Sequence, residues 1–114
     1  YHIEAIIMAG WMRIVTSRLI EAYPGKIINI HPSLLPSFKG TNAINKALDS
    51  GTKITGCTVH KVIKDIDSGE IIAQTAVLID PLDNLASLTS KIQEKEHELL
   101  PFAIAIAAKK WREK

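Results

Sequence analysis

The feature that most restricts how this chain can fold is a pair of short strand-like segments, the nearly unbroken apolar run Ile3 to Ala9 and the segment Lys26 to His31. They suit strands buried on both faces of a parallel sheet. Gly10 follows the first and Pro32 the second. Proline cannot donate to a ladder, and it holds the residue before it, His31, away from helical backbone angles. Between the runs, Thr16 offers an N-cap for a helix through Tyr23 that Pro24-Gly25 would close.

Beyond Pro32 the loop to Gly40 carries further proline, serine and glycine, and Thr41 can cap a helix to about Asp49, ending at Ser50-Gly51. Residues Thr55 to Val62 and Ile71 to Ile79 are rich in β-branched side chains and read as two more strands. From Leu82 to Trp111 an apolar stripe at Leu85, Leu88, Ile92, Leu99, Phe102 and Ile106 has helical spacing, with Pro101 expected to divide or kink it. This order of strands and helices predicts an α/β sheet that begins upstream of Tyr1, in one partial domain covering residues 1–114.

Composition excludes several classes. The 46% apolar and 23% charged fractions are those of a globular domain, and a chain of 114 residues can bury roughly two-thirds of its unfolded surface. The formal net charge is only +2, and the basic residues Lys109, Lys110, Arg112 and Lys114 cluster at the end of a helical pattern, where cations suit the helix dipole. Neither a nucleic-acid footprint nor a membrane partner is expected. No apolar run reaches the roughly 18 residues of a span. The single Cys57 has no internal disulfide partner, which points to a reducing, cytoplasmic setting.

Asn29 and His31 are two apart on one strand, so their side chains leave the same face near its C-terminal end. In open α/β sheets that end borders the ligand crevice. A carboxamide beside an imidazole supplies a neutral donor for a developing oxyanion and a proton carrier near neutral pH, the two parts that acyl transfer needs. The competing explanation is a strand-end amide and a histidine held beneath a loop. Asp67, in Asp-Ser-Gly, would make a turn or would orient His31 and favour its charged form; Asp65 is the alternative carboxylate. His60 supports such a site from an adjoining strand or is a core residue, and His97 sits among glutamates on a solvated helix. A zinc site from Cys57, His60, His31 and Asp67 lacks standard ligand spacing, so no metal is expected. No Gly-x-Gly-x-x-Gly or Walker-type loop occurs.

The blocks Asn29-Ile30-His31-Pro32-Ser33-Leu34-Leu35-Pro36-Ser37-Phe38-Lys39-Gly40, Thr55-Gly56-Cys57-Thr58-Val59-His60 and Ile66-Asp67-Ser68-Gly69, in this order, resemble the phosphoribosylglycinamide formyltransferase family of purine biosynthesis. The resemblance runs from the first strand to the last helix, and the family's N-terminal part is missing. It implies the C-terminal portion of a Rossmann-like, mostly parallel sheet with flanking helices and a long C-terminal helix. It also implies transfer of a formyl group from 10-formyltetrahydrofolate, as co-substrate, to the amine of glycinamide ribonucleotide.

Carried over by position, Asn29 would hold the formyl oxygen, His31 would donate a proton and Asp67 would strengthen the histidine's hold on that proton. Met12, Arg13, Ile14 and Val15, with Asn29 and Asp67, would contact folate, and Gln93 and Glu96 the ribonucleotide. The grip on phosphate would lie upstream. Some family members carry histidines where Asn42 and Ile44 stand. Small molecules are the expected partners, and the resemblance allows a homodimer. Methionyl-tRNA formyltransferase would show an Arg-Gly-Ala-Ala-Pro type of segment after the Leu-Leu-Pro block, where Ser37-Phe38-Lys39-Gly40 stands here. Formyltetrahydrofolate deformylase usually lacks the Pro32-Ser33 pairing.

Overall fold

The computed structural model describes residues 6–9, 27–63 and 69–112. Strands β1 (Ile6–Ala9), β2 (Ile27–His31), β3 (Ile54–Lys61) and β4 (Ile71–Leu78) form one sheet in that spatial order. Helix α1 (Ala43–Ser50) links β2 to β3, and α2 (Leu85–Arg112) closes the chain. The expected α/β architecture and long final helix are present. The parallel character belongs to β1 and β2, where Met8 lies opposite Asn29. Both β3 and β4 join antiparallel. The expected helix from Thr16 to Tyr23 lies outside the described residues.

Alternation along the strands separates two faces. Ile28 and Ile30 of β2 and Cys57 and Val59 of β3 point to one side, where they pack with Leu88, Ile92, Leu99 and Ala103 of α2. Leu88, Ile92 and Ala103 are fully buried, and this cluster is the core. Helix α1 adds Ile44 and Leu48 to the same cluster. Asn29 and His31, with Thr58 and His60 directly across from them on β3, point to the other side.

The helix ends follow local chemistry. Gly51 closes α1 at φ 75°, a left-handed conformation that glycine takes without steric cost, and its N–H bonds the Leu48 carbonyl at 3.3 Å. At the start the N-cap is Asn42, not Thr41; Asn42 sits at φ 58° and its side chain makes no cap bond. Asparagine is among the few residues that tolerate that region. At α2, Asn84 and Ser87 cap each other reciprocally, with Ser87 N–H bonding Asn84 Oδ1 at 2.9 Å and Asn84 N–H bonding Ser87 Oγ at 3.0 Å. Asp83 accepts from Ser87 Oγ at 2.7 Å and from Lys91 Nζ at 2.6 Å.

Pro101 does not divide α2. Its missing N–H leaves one carbonyl of the preceding turn without an intrahelical donor, yet buried Leu99 and Ala103 hold the helix to the sheet on either side of it. The buried stripe also departs from the expected one. After Leu99 it runs through Ala103 and Ala107, while Phe102 is 62% and Leu85 46% exposed. Small alanines let the helix approach the sheet closely, and steps of four residues carry the contact past Phe102.

Candidate active site

The polar face is built from β2, β3, one residue of β4 and the 32–40 loop. Asn29, His31, Ser33, Thr58 and His60 are all buried there. Burying so many polar groups is costly unless they are paired, and the pairing is directional. Thr58 Oγ1 donates to the Ser33 carbonyl at 2.7 Å and accepts from the Leu35 N–H at 3.1 Å and from Gln74 Nε2 at 3.0 Å. Those three bonds use the hydroxyl's one hydrogen and both lone pairs. Gln74 gives a second hydrogen bond to the Leu35 carbonyl at 3.0 Å.

From this anchor the loop turns back over the sheet. Ser33 N–H bonds the His31 carbonyl at 2.9 Å, Ser33 Oγ donates to the Ser37 carbonyl at 2.6 Å, and Ser37 N–H bonds the Leu34 carbonyl at 3.0 Å. The Leu35–Pro36 bond is cis and Phe38 has φ 55°. Leu34 lies directly above Gly56, where a Cβ would run into the Thr75 carbonyl and the Leu34 side chain. Glycine at this point leaves room for both the β4 backbone and the loop.

The loop ends its turn at His31, whose Nε2 bonds the Phe38 carbonyl at 2.9 Å. A carbonyl oxygen only accepts, so Nε2 carries the hydrogen, and in the neutral ring proton exchange falls to Nδ1. The Oδ1 atom of Asn29 is buried and has no hydrogen-bond partner among the described residues. A buried carboxamide with an unmet acceptor beside an oriented imidazole is suited to holding a polar reacting group. His60, in register with Asn29, donates from Nδ1 to the Lys61 carbonyl at 3.0 Å, so it adjoins the pair from the neighbouring strand.

Asn29 and His31 are therefore brought together as their spacing requires. Asp67 and Asp65, and Met12, Arg13, Ile14 and Val15, lie outside the described residues. Gln93 and Glu96 are on α2, the helix that packs the opposite face of the sheet, with Gln93 exposed and Glu96 half-buried. Burial pushes the Glu96 carboxyl above its ordinary range, partly offset by nearby His97. Burial, and then the Glu96 charge, push the Cys57 thiol up to about 11, so the thiol stays protonated at neutral pH. Cys57 faces the helices while His31 and His60 face the loop, which removes the zinc grouping considered from sequence. The described residues contain no cluster of three potential metal ligands.

A cleft of ≈ 290 Å³ opens beside Pro32, lined also by Asn42, Ala43, Ile44, Asn45 and Leu85. It places Asn42 and Ile44 next to Pro32, the residue that follows His31. Sequence reasoning did not single out Ser33, Phe38 or Gln74 for the site. The one available signal for Gln74 was a lone amide within an apolar strand.

The sequence model described as formyl transferase matches residues 1–104. The chain belongs to the formyl transferase family. Among curated relatives, the phosphoribosylglycinamide formyltransferase of Bacillus subtilis is 46% identical over 104 residues, covering 91% of this chain and 53% of that protein. The human trifunctional purine biosynthetic protein adenosine-3 is 44% identical over 108 residues, 95% of this chain but 11% of that protein. The crystal structure of phosphoribosylglycinamide formyltransferase from Bacillus halodurans superposes with a TM-score of 0.86 at 47% identity, covering 93% of this chain and 54% of that one. This formyl transferase chain thus spans about half the length of the bacterial relatives it matches.

Proposed function

We propose that this chain supplies the proton-transfer and formyl-holding half of an enzyme of purine (IMP) biosynthesis. That enzyme passes the formyl group of 10-formyltetrahydrofolate to the amine of glycinamide ribonucleotide, giving formylglycinamide ribonucleotide and tetrahydrofolate. The observation that carries the proposal is the buried Asn29–His31 pair at the end of β2, in a chain of the formyl transferase family. Family membership supports the chemistry, and the burial of the pair supports this site for it.

In this reading the amine attacks the formyl carbon, forming a C–N bond, and the bond from that carbon to folate N10 then breaks. The amide hydrogens of Asn29 hold the oxygen as it gains charge, and Asn29 Oδ1 is available to an N–H of the incoming amine. His31 takes up the amine's proton at Nδ1 and returns it to N10 as that nitrogen leaves, so the ring ends as it began. Asp67 stabilises the charged imidazole between the two steps. Met12 to Val15 would bound the folate ring, and Gln93 and Glu96, which lie on α2 behind the sheet, would have to meet the ribonucleotide past the sheet's edge and not on the Asn29–His31 face. A cytoplasmic setting accords with a free, buried Cys57, and among the described residues no helix is long and apolar enough to cross a membrane.

The test is a turnover assay on the full-length gene product with both substrates, following tetrahydrofolate release with and without the amine. Release that requires glycinamide ribonucleotide supports transfer. Formate release at the same rate without the amine would replace transfer with hydrolysis, and absence of turnover would contradict the proposal. Asp67→Asn is expected to lower kcat by about 10- to 100-fold, the range for weakening a general acid–base partner.

A further inference from the structure

The hydrogen-bond chain that ends on His31 starts on the outer strand of the sheet. Gln74 is in β4, in register with Thr58 of β3, which in turn faces His31 of β2. Its Nε2 gives one hydrogen to the Leu35 carbonyl and the other to Thr58 Oγ1, both at 3.0 Å. Because Thr58 already accepts from the Leu35 N–H, the Gln74 donation fills its last lone pair and turns the hydroxyl hydrogen to the Ser33 carbonyl. Ser33 and Leu35 are thereby held against the sheet by three bonds to two side chains, which a fourth bond joins to each other. The remainder of the loop, through the Ser33–Ser37 bond, carries that constraint to Phe38 and its carbonyl on His31 Nε2.

From this geometry we infer that Gln74 is a positioning residue for His31: its amide fixes the 32–40 loop so that the Phe38 carbonyl holds the imidazole in the Nε2–H form. The inference rests on the formyl-transfer reading only where turnover is concerned. Gln74 touches no reacting group itself. Its neighbours along β4, Ala73, Thr75 and Ala76, offer no long donor of this kind, and on the edge strand Gln74 is exposed, so core packing does not account for an amide at this position.

The test uses full-length protein labelled with ¹⁵N in its histidines. The His31 ring nitrogens are assigned by comparison with His31→Ala. At a pH where the ring carries a single hydrogen, wild type is expected to hold it on Nε2. Gln74→Met keeps length and removes both donors; Gln74→Glu keeps shape and replaces donors with acceptors, and serves if the methionine variant does not fold. Either is expected to move the ring shifts toward a mixture of tautomers. The companion pair is Thr58→Val, expected to behave likewise, and Thr58→Ser, which keeps the hydroxyl and is expected to restore the wild-type shifts.

Kinetically, Gln74→Met is expected to lower kcat about tenfold with KM for both substrates within about twofold, the scale for a proton carrier loosened but not removed. A merely structural role would lower the melting temperature and leave the shifts and kcat of the folded protein unchanged; that result would overturn the inference. If the ring shifts move while wild-type protein shows no amine-dependent turnover, the positioning role stands and the formyl-transfer reading falls.

Discussion

The two faces of the central strands are made from alternate residues of the same few segments, and they have opposite characters. Toward α2, Ile28, Ile30, Cys57 and Val59 meet Leu88, Ile92 and Ala103 in a cluster of apolar and small side chains. Toward the loop, Asn29, His31, Thr58 and His60 are buried but polar, and hydrogen bonds to backbone carbonyls orient His31, Thr58 and His60. One face is held by area removed from water and the other by direction. A single-residue slip in register would exchange them, which is why the strands tolerate so little ambiguity.

Substitutions on the two faces should therefore fail in different ways. The largest effect is expected from Asn29→Ala, which removes a donor to the developing oxyanion and should lower kcat by about 10²- to 10³-fold. Its melting temperature should change little, a combination that steady-state kinetics and thermal unfolding on one sample would check. On the other face, Ile92→Ala opens a cavity in the fully buried cluster. It is expected to cost about 2–4 kcal/mol of stability in urea unfolding while leaving kcat of the folded protein near normal. If Ile92→Ala instead abolished turnover without destabilising the fold, the division between faces would be wrong.

Two smaller effects follow from charge. Glu96 stands at a helix position that faces the core stripe, between Ile92 and Leu99, and burial raises its proton affinity in the folded state. A carboxyl with a raised folded value favours folding when protonated, so its contribution declines as pH rises through the ordinary carboxylate range toward that raised value. Glu96→Gln should be more stable than wild type at pH 7, by about 0.5 kcal/mol once solvent screening is allowed for.

Asp83 has the opposite sign and is expected to give the smallest effect. Hydrogen bonds from Lys91, Ser87 and the Asp80 backbone hold its carboxyl at about 2, below the ordinary 3.8. Its stabilisation is complete above the unfolded value and is lost as pH falls from about 3.8 through about 2. Unfolding midpoints of wild type and Asp83→Asn should converge across that window, and parallel curves would contradict the assignment.

Much of this arrangement was legible in the sequence because strand geometry has a strict period. Asn29 and His31 had to share a face, and Ile28 and Ile30 had to oppose them. The same rule puts Cys57 and His60, three residues apart on one strand, on opposite faces. What sequence did not reveal were contacts made through space. Gln74 lies 39 positions from Leu35, whose carbonyl it binds, and only the register of β3 with β4 brings them together. Phe38 meets His31 through its backbone, so its side-chain identity carried no hint. Likewise Phe102, the largest apolar residue of the expected stripe, is exposed, because small Ala103 and Ala107 allow closer packing than size would suggest.

The central claim is that His31 carries the proton in formyl transfer, and single-turnover kinetics of full-length His31→Ala with 10-formyltetrahydrofolate and glycinamide ribonucleotide test it most directly. The account expects the rate of formyl transfer to fall by at least about 100-fold, with ligand affinities and melting temperature close to wild type. Transfer at a near-normal rate would contradict it.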